Sequence, residues 1–295
     1  MPPSEPMTWR DLAPPMWFGI LLVACLPVTV VAMWRAGRWW LSGRPFPAPT
    51  DPDAVSGPPV RWPTWFGMAL FGTMLCLMVL VSMAYWGAAE AGFLPWEPLG
   101  VPIALGPGVL LSQVIPPLVG LAVVYRFGRG ALAAIGVRRG KIARGVVAGL
   151  GVLGATFPLV MLSAAAGFGL FRLFGVEPPP HPSLQALQKA PYGWVLALTL
   201  LQVSILAPLS EEFIYRGVLM MSLLARTGPL AALILSSAIF AFFHVQAEAH
   251  ACLAVFVLGL GLGYVAYRTR SLVAAVVAHS AFNTLMILVT LSWGT

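Results

Sequence analysis

The chain has 295 residues, 59% of them hydrophobic and only 9% charged, where a soluble domain carries about 25% charged residues. That composition excludes an ordinary soluble enzyme. The net charge of +7 lies in short clusters between apolar runs, the positive-inside pattern of a membrane protein rather than a nucleic-acid surface.

The first fifteen residues hold Glu5, Arg10 and Asp11. The apolar run behind them is long enough to span and shows no small-residue cleavage site, so it reads as a retained helix rather than a signal peptide. A bilayer core of about 30 Å needs about 20 helical residues, and eight runs meet that need: 16–34, 65–86, 99–125, 145–171, 193–224, 229–246, 251–267 and 272–292. Pro102, Pro107, Pro116 and Pro117 interrupt the third and predict a kinked or partly re-entrant segment. Residues 35–64 are Pro-rich and charged and read as a solvated linker. The stretch from His181 to Trp194 predicts a short amphipathic helix at the outer surface. Cys25, Cys76 and Cys252 lie in or beside apolar runs without CxxC spacing, which suggests neither a disulfide framework nor a thiolate metal site.

Two glycine patterns, Gly145 with Gly149 and Gly259 with Gly263, stand four residues apart inside spans and predict close helix packing. Neither "GVRRGK" at 136–141 nor "GLGLG" at 259–263 has the strand context or spacing of a nucleotide-binding loop. The Arg-rich loops follow the first, third, fifth and seventh spans, which puts them on one, cytoplasmic, side and both termini outside. The expected fold is therefore all-α: a polytopic integral membrane protein of about eight transmembrane helices. Residues 1–144 form an N-terminal transmembrane region of about three helices with the cytoplasmic linker 35–64. Residues 145–295 form the membrane core, with its motifs within 195–290. The plasma (inner) membrane is the expected location.

Charged side chains cost about 2.5–3.5 kcal/mol each at the centre of a span, so those placed there are candidates for function. "PLSEEFIYRG" at 208–217 sets Glu211, Glu212 and Arg216 among apolar neighbours. Glu212 and Arg216, at i and i+4, can pair on one helix face, while Glu211, turned by about 100°, faces elsewhere. Ser210 offers a competing structural reading, in which it caps a new helix after Pro208 with the glutamates in its first turn. Phe240 and His244 share a face at i and i+4, as do His279 and Asn283. Three helices can thus direct Glu211, His244 and the His279/Asn283 pair at one intramembrane cavity. Contour distances from the inner ends, at about 1.5 Å per residue, permit that meeting without enforcing it.

Such a set fits hydrolysis of an amide. A carboxylate and a neutral imidazole can share a water as general base, and His279 and Asn283 can donate to an oxyanion. Alternatively Glu211, His244 and His279 can ligate a zinc ion that activates the water, although HExxH is absent, as is GxSxG.

"EEFIYR" at 211–216, "FAFFH" at 240–244 and "HSAFN" at 279–283 resemble, in order, the EExxxR, FxxxH and HxxxN motifs of the CPBP family of CAAX proteases and bacteriocin-processing enzymes. The resemblance covers roughly 195–290 and implies an α-helical intramembrane endopeptidase. It makes Glu211 the water-activating carboxylate with His244 beside it, gives His279 and Asn283 the oxyanion, and leaves Arg216 to hold Glu212, with Phe240 as packing support. The family has been described as metal-independent glutamate proteases and as metalloproteases, so the expected cofactor is none, or a divalent metal such as zinc. Expected partners are membrane lipids and a membrane-associated protein or peptide, prenylated or bacteriocin-like, and no nucleic acid. Two other readings use the same residues: a non-catalytic scaffold or immunity protein, and a proton-coupled transporter. The transporter reading lacks a matching polar set in the first half of the chain, as an inverted repeat would supply.

Overall fold

The computed structural model describes residues 16–47, 49, 63–93, 106–126, 142–176 and 193–293. Every regular element among them is helical, with no strand. They are α1 (Met16–Leu41), α2 (Thr64–Glu90), α3 (Pro107–Arg126), α4 (Ile142–Leu173), α5 (Trp194–Leu201), a π-helix π1 (Gln202–Leu206), α6 (Ala207–Glu211), a second π-helix π2 (Glu212–Met220), α7 (Met221–Glu248), a 3-10 turn (Ala249–Ala251), α8 (Cys252–Thr269) and α9 (Leu272–Trp293). Among the described residues seven helical stretches are long and apolar enough to cross a membrane, and the chain is an integral multi-pass membrane protein.

The expected fifth and sixth runs are both helical within Trp194–Val245 and are separated by a kink at Gly228, whose φ 76° and ψ 170° lie in a region open essentially to glycine alone; Pro229 opens the second of the two helices with its fixed φ. α3 is a single helix of 20 residues with Pro107 at its start and Pro116 and Pro117 inside it, long enough at about 30 Å to span without re-entry. Residues 99–105 of the third run lie outside the described residues, as does the amphipathic helix expected from His181.

The linker also begins later than expected. Residues 35–41 continue α1, with the Arg38 guanidinium 5.0 Å from the Trp34 ring, an aromatic and basic pairing suited to the membrane interface. Beyond the helix the chain folds back. Trp39 Nε1 donates to the Pro45 carbonyl at 2.9 Å, and the Phe46 ring lies edge-on to Tyr267 at 5.5 Å.

α8 sits at the centre, packed against α4, α7 and α9, and α4 also carries α1 and α9. The glycine expectation holds here. A Cβ on Gly149 would meet the Ala274 carbonyl oxygen of α9, and one on Gly259 would lie 3.1 Å from Ser237 Cβ of α7. Gly263 likewise admits Leu233. α1 is peripheral: Phe18 meets Phe157 of α4 at 5.8 Å, and Thr29 Oγ1 donates to the Gly154 carbonyl at 3.3 Å. α2 packs on α3 and on π2, where Phe71 lies 5.5 Å from Tyr215. The polar residues of the motif helix are thereby enclosed by α2, α7, α8 and α9.

Candidate active site

Glu211 is the last residue of α6 and Glu212 the first of π2. The helix does not restart at Ser210. The backbone stays in the α region through Glu211 and Glu212, and the Ser210 hydroxyl caps nothing. Pro208 is accommodated by the wider five-residue register of π1 rather than by a break, and π-bulges of this kind are frequent at functional sites.

Arg216 is the largest fully buried side chain. Its Nη1 donates to Glu212 Oε1 at 3.1 Å and its Nη2 to the Gly259 carbonyl of α8 at 3.3 Å, and its guanidinium carbon stands 4.3 Å from the Phe240 ring centroid. A buried guanidinium needs this much company: a counter-ion, further acceptors and an aromatic face.

The sequence assigns Glu212 to Arg216 alone, and the structure gives it a second task. The same Oε1 accepts from His279 Nδ1 at 2.8 Å. Glu212 thus ties π2 to α9 and fixes which ring nitrogen of His279 faces away. His244 is fixed similarly: its Nδ1 donates to the Phe240 carbonyl at 2.7 Å, one turn back. Phe240 packs among all of these groups, with ring centroids 5.1 Å from Tyr215, 4.5 Å from His244 and 5.9 Å from His279.

Both remaining imidazole nitrogens then converge on Glu211. Its Oε2 lies 4.0 Å from His244 Nε2 and 3.8 Å from His279 Nε2. Glu211 and His244 keep 20% and 30% of their side-chain surface accessible, against 5% for His279 and none for Glu212 or Arg216. The inner groups hold the frame, and the outer ones can meet a substrate. Separations of 3.8–4.0 Å are too long for a direct hydrogen bond but let one water reach two of these groups at about 2.8 Å each.

The donor set of Glu211, His244 and His279, with both Nδ1 atoms anchored, has the chemistry of a zinc site. The spacing does not: ligands at tetrahedral zinc stand about 3.3–3.4 Å apart. Among the described residues no three His, Cys, Asp or Glu form a metal-holding group. Asn283 is brought to the same region but points partly elsewhere, its Nδ2 donating to the Val203 carbonyl of π1 at 2.8 Å. That carbonyl and Gly259's are the site contributions that side-chain reasoning misses, because a backbone acceptor carries no residue signature.

Residues 193–285 match a family model described as Rce1-like, type II CAAX prenyl endopeptidase Rce1-like. No curated protein and no solved structure matches the chain. The matched segment starts at the Gly193 that precedes α5 and contains all three motifs, so it coincides with the part of the fold that builds the site.

Proposed function

We propose that this membrane protein, whose residues 193–285 match a model of Rce1-like CAAX prenyl endopeptidases, is an intramembrane endopeptidase that hydrolyses a peptide bond near the C-terminus of a membrane-tethered, prenylated substrate. The observation that carries the reading is the convergence of two anchored imidazoles on one carboxylate, Glu211. Glu211 takes one proton from a water that His244 Nε2 helps to hold, and the water oxygen attacks the scissile carbonyl carbon. His279, held by Glu212 at Nδ1, donates to the developing oxyanion through Nε2–H, a role that needs both ring nitrogens protonated. Asn283 gives one Nδ2 hydrogen to Val203 and has the other for the oxyanion. Collapse of the tetrahedral intermediate expels the amine, which takes its proton from Glu211.

The spacing favours water activated by side chains without a metal. The basic clusters favour an orientation with the Arg-rich loops on the cytoplasmic face.

The test is cleavage in proteoliposomes of a farnesylated peptide and of its unlipidated counterpart. Wild type should cleave the farnesylated peptide, Glu211→Gln should lose activity by at least about 10³-fold, and a chelator that strips zinc should leave the wild-type rate unchanged. Undiminished cleavage by Glu211→Gln would refute the assignment. Loss of activity on chelation, restored by zinc, would replace the metal-free mechanism with a metal-assisted one.

A further inference from the structure

Pro208 has no place in the motif set, yet it lies buried three residues before Glu211. In π1 the Ala207 N–H bonds to the Gln202 carbonyl, five residues back. It is therefore lost to Val203, its acceptor in an α register. The next donor in the five-residue register would be the amide of residue 208, reaching the Val203 carbonyl. Proline has no N–H, so Val203 is deprived of both its α partner and its π partner. A carbonyl inside a membrane protein must find a donor within the protein, and Val203 finds Asn283 Nδ2 at 2.8 Å.

We propose that Pro208 is the positioning residue for Asn283: by withholding a backbone donor it reserves the Val203 carbonyl as the anchor that sets the plane of the Asn283 amide. An amide with one Nδ2 hydrogen fixed has the direction of its other hydrogen fixed too. Any other residue at 208 would supply an N–H already held in place by the helix. That donor would compete with Asn283 for Val203 at no cost in side-chain entropy. The anchor rests on hydrogen-bond geometry alone; its catalytic consequence rests on the endopeptidase reading above.

The experiment is a double-mutant cycle on the full chain in detergent, read by unfolding midpoint and by kinetics on the farnesylated peptide. Asn283→Ala should lower the midpoint by about 2–4 °C, because Val203 is orphaned. Pro208→Ala should not lower it, and Pro208→Ala/Asn283→Ala should regain the Pro208→Ala midpoint, the new amide having replaced the lost one. Additive shifts would overturn the proposal. Pro208→Ala should also lower kcat by at least about tenfold with KM held within about twofold, and full kcat would overturn the positioning role.

Should Pro208→Ala fail to accumulate, the Val203 carbonyl-carbon resonance in valine-labelled protein decides. It should move in Asn283→Ala, and an unmoved resonance overturns the proposal. If wild type cleaves nothing, the endopeptidase reading falls and the midpoint cycle still judges the anchor.

Discussion

Replacing Glu212 by glutamine tests the dual role of that carboxylate with almost no change in shape. One oxygen, Oε1, accepts both from Arg216 at 3.1 Å and from His279 at 2.8 Å. At an effective dielectric of about 20 the Arg216 attraction alone is about 5 kcal/mol, much of it offset by desolvation of two fully buried groups. Two charge-assisted hydrogen bonds, worth about 1.5–3 kcal/mol each, become neutral-acceptor ones nearer the ordinary 0.5–1.5 kcal/mol, so Glu212→Gln should cost about 2–3 kcal/mol. Glu212→Ala, which strands the Arg216 charge, should cost about 3–5 kcal/mol. In Glu212→Gln, Arg216 will keep the new amide oxygen where Oε1 was, since the flipped amide would set NH₂ against guanidinium. That oxygen still accepts from His279 Nδ1, but as a neutral acceptor it holds less firmly the ring whose Nε2 serves the oxyanion. Loss of one such donor lowers kcat about 10²–10³-fold. Equilibrium unfolding in detergent and turnover of the farnesylated peptide measure the two effects. A Glu212→Gln protein within about threefold of wild-type kcat, or of undiminished stability, would refute the coupling of Arg216 to His279 through one oxygen.

Two backbone features give further expectations. Gly149→Ala should lose about 1–3 kcal/mol, because its methyl would meet the Ala274 carbonyl and stand 3.2 Å from the Ala278 nitrogen, one residue before His279; Gly151→Ala, which faces open space, is the control in the same unfolding assay. Gly228→Ala should cost about 1–3 kcal/mol, because φ 76° with ψ 170° is closed to alanine. A stability equal to wild type in either variant would show that the helices repack or the joint relaxes.

Apolar runs made the helices legible, because burial in lipid demands long uninterrupted hydrocarbon and the chain has little else. Spacing on single helices made the pairs legible: Glu212 with Arg216, Phe240 with His244. What spacing could not show is how helices meet. Contour distances along single helices permit a meeting but cannot enforce it, since they ignore tilt and offset, yet Glu211, His244 and His279 converge. His279 is 67 positions from Glu212, and nothing local announces that contact, so Glu212 read as a partner of Arg216 only. The linker boundary was misjudged because Arg35 and Arg38 look like loop residues in an apolar chain, whereas at an interface they extend α1 beside Trp34 and Trp39. The five-residue register of π1 was hidden too, although Val203 and Pro208 stand five apart, the spacing at which a proline leaves a π-helix carbonyl unmatched.

The buried Arg216 also constrains how the protein is made. The Trp194–Val245 stretch carries Glu211, Glu212 and Arg216 into the membrane, an insertion burden of several kcal/mol that one i,i+4 pair relieves only in part. The groups that complete its satisfaction are the Gly259 carbonyl, 43 positions after Arg216, and His279, 67 after Glu212. Both are synthesised later. Until α8 and α9 arrive, the motif helix is a poor transmembrane segment, so biogenesis must shelter it from lipid and assemble the last helices around it as a group. The arrangement that makes the site rigid when finished makes the chain dependent on completion to its final helix.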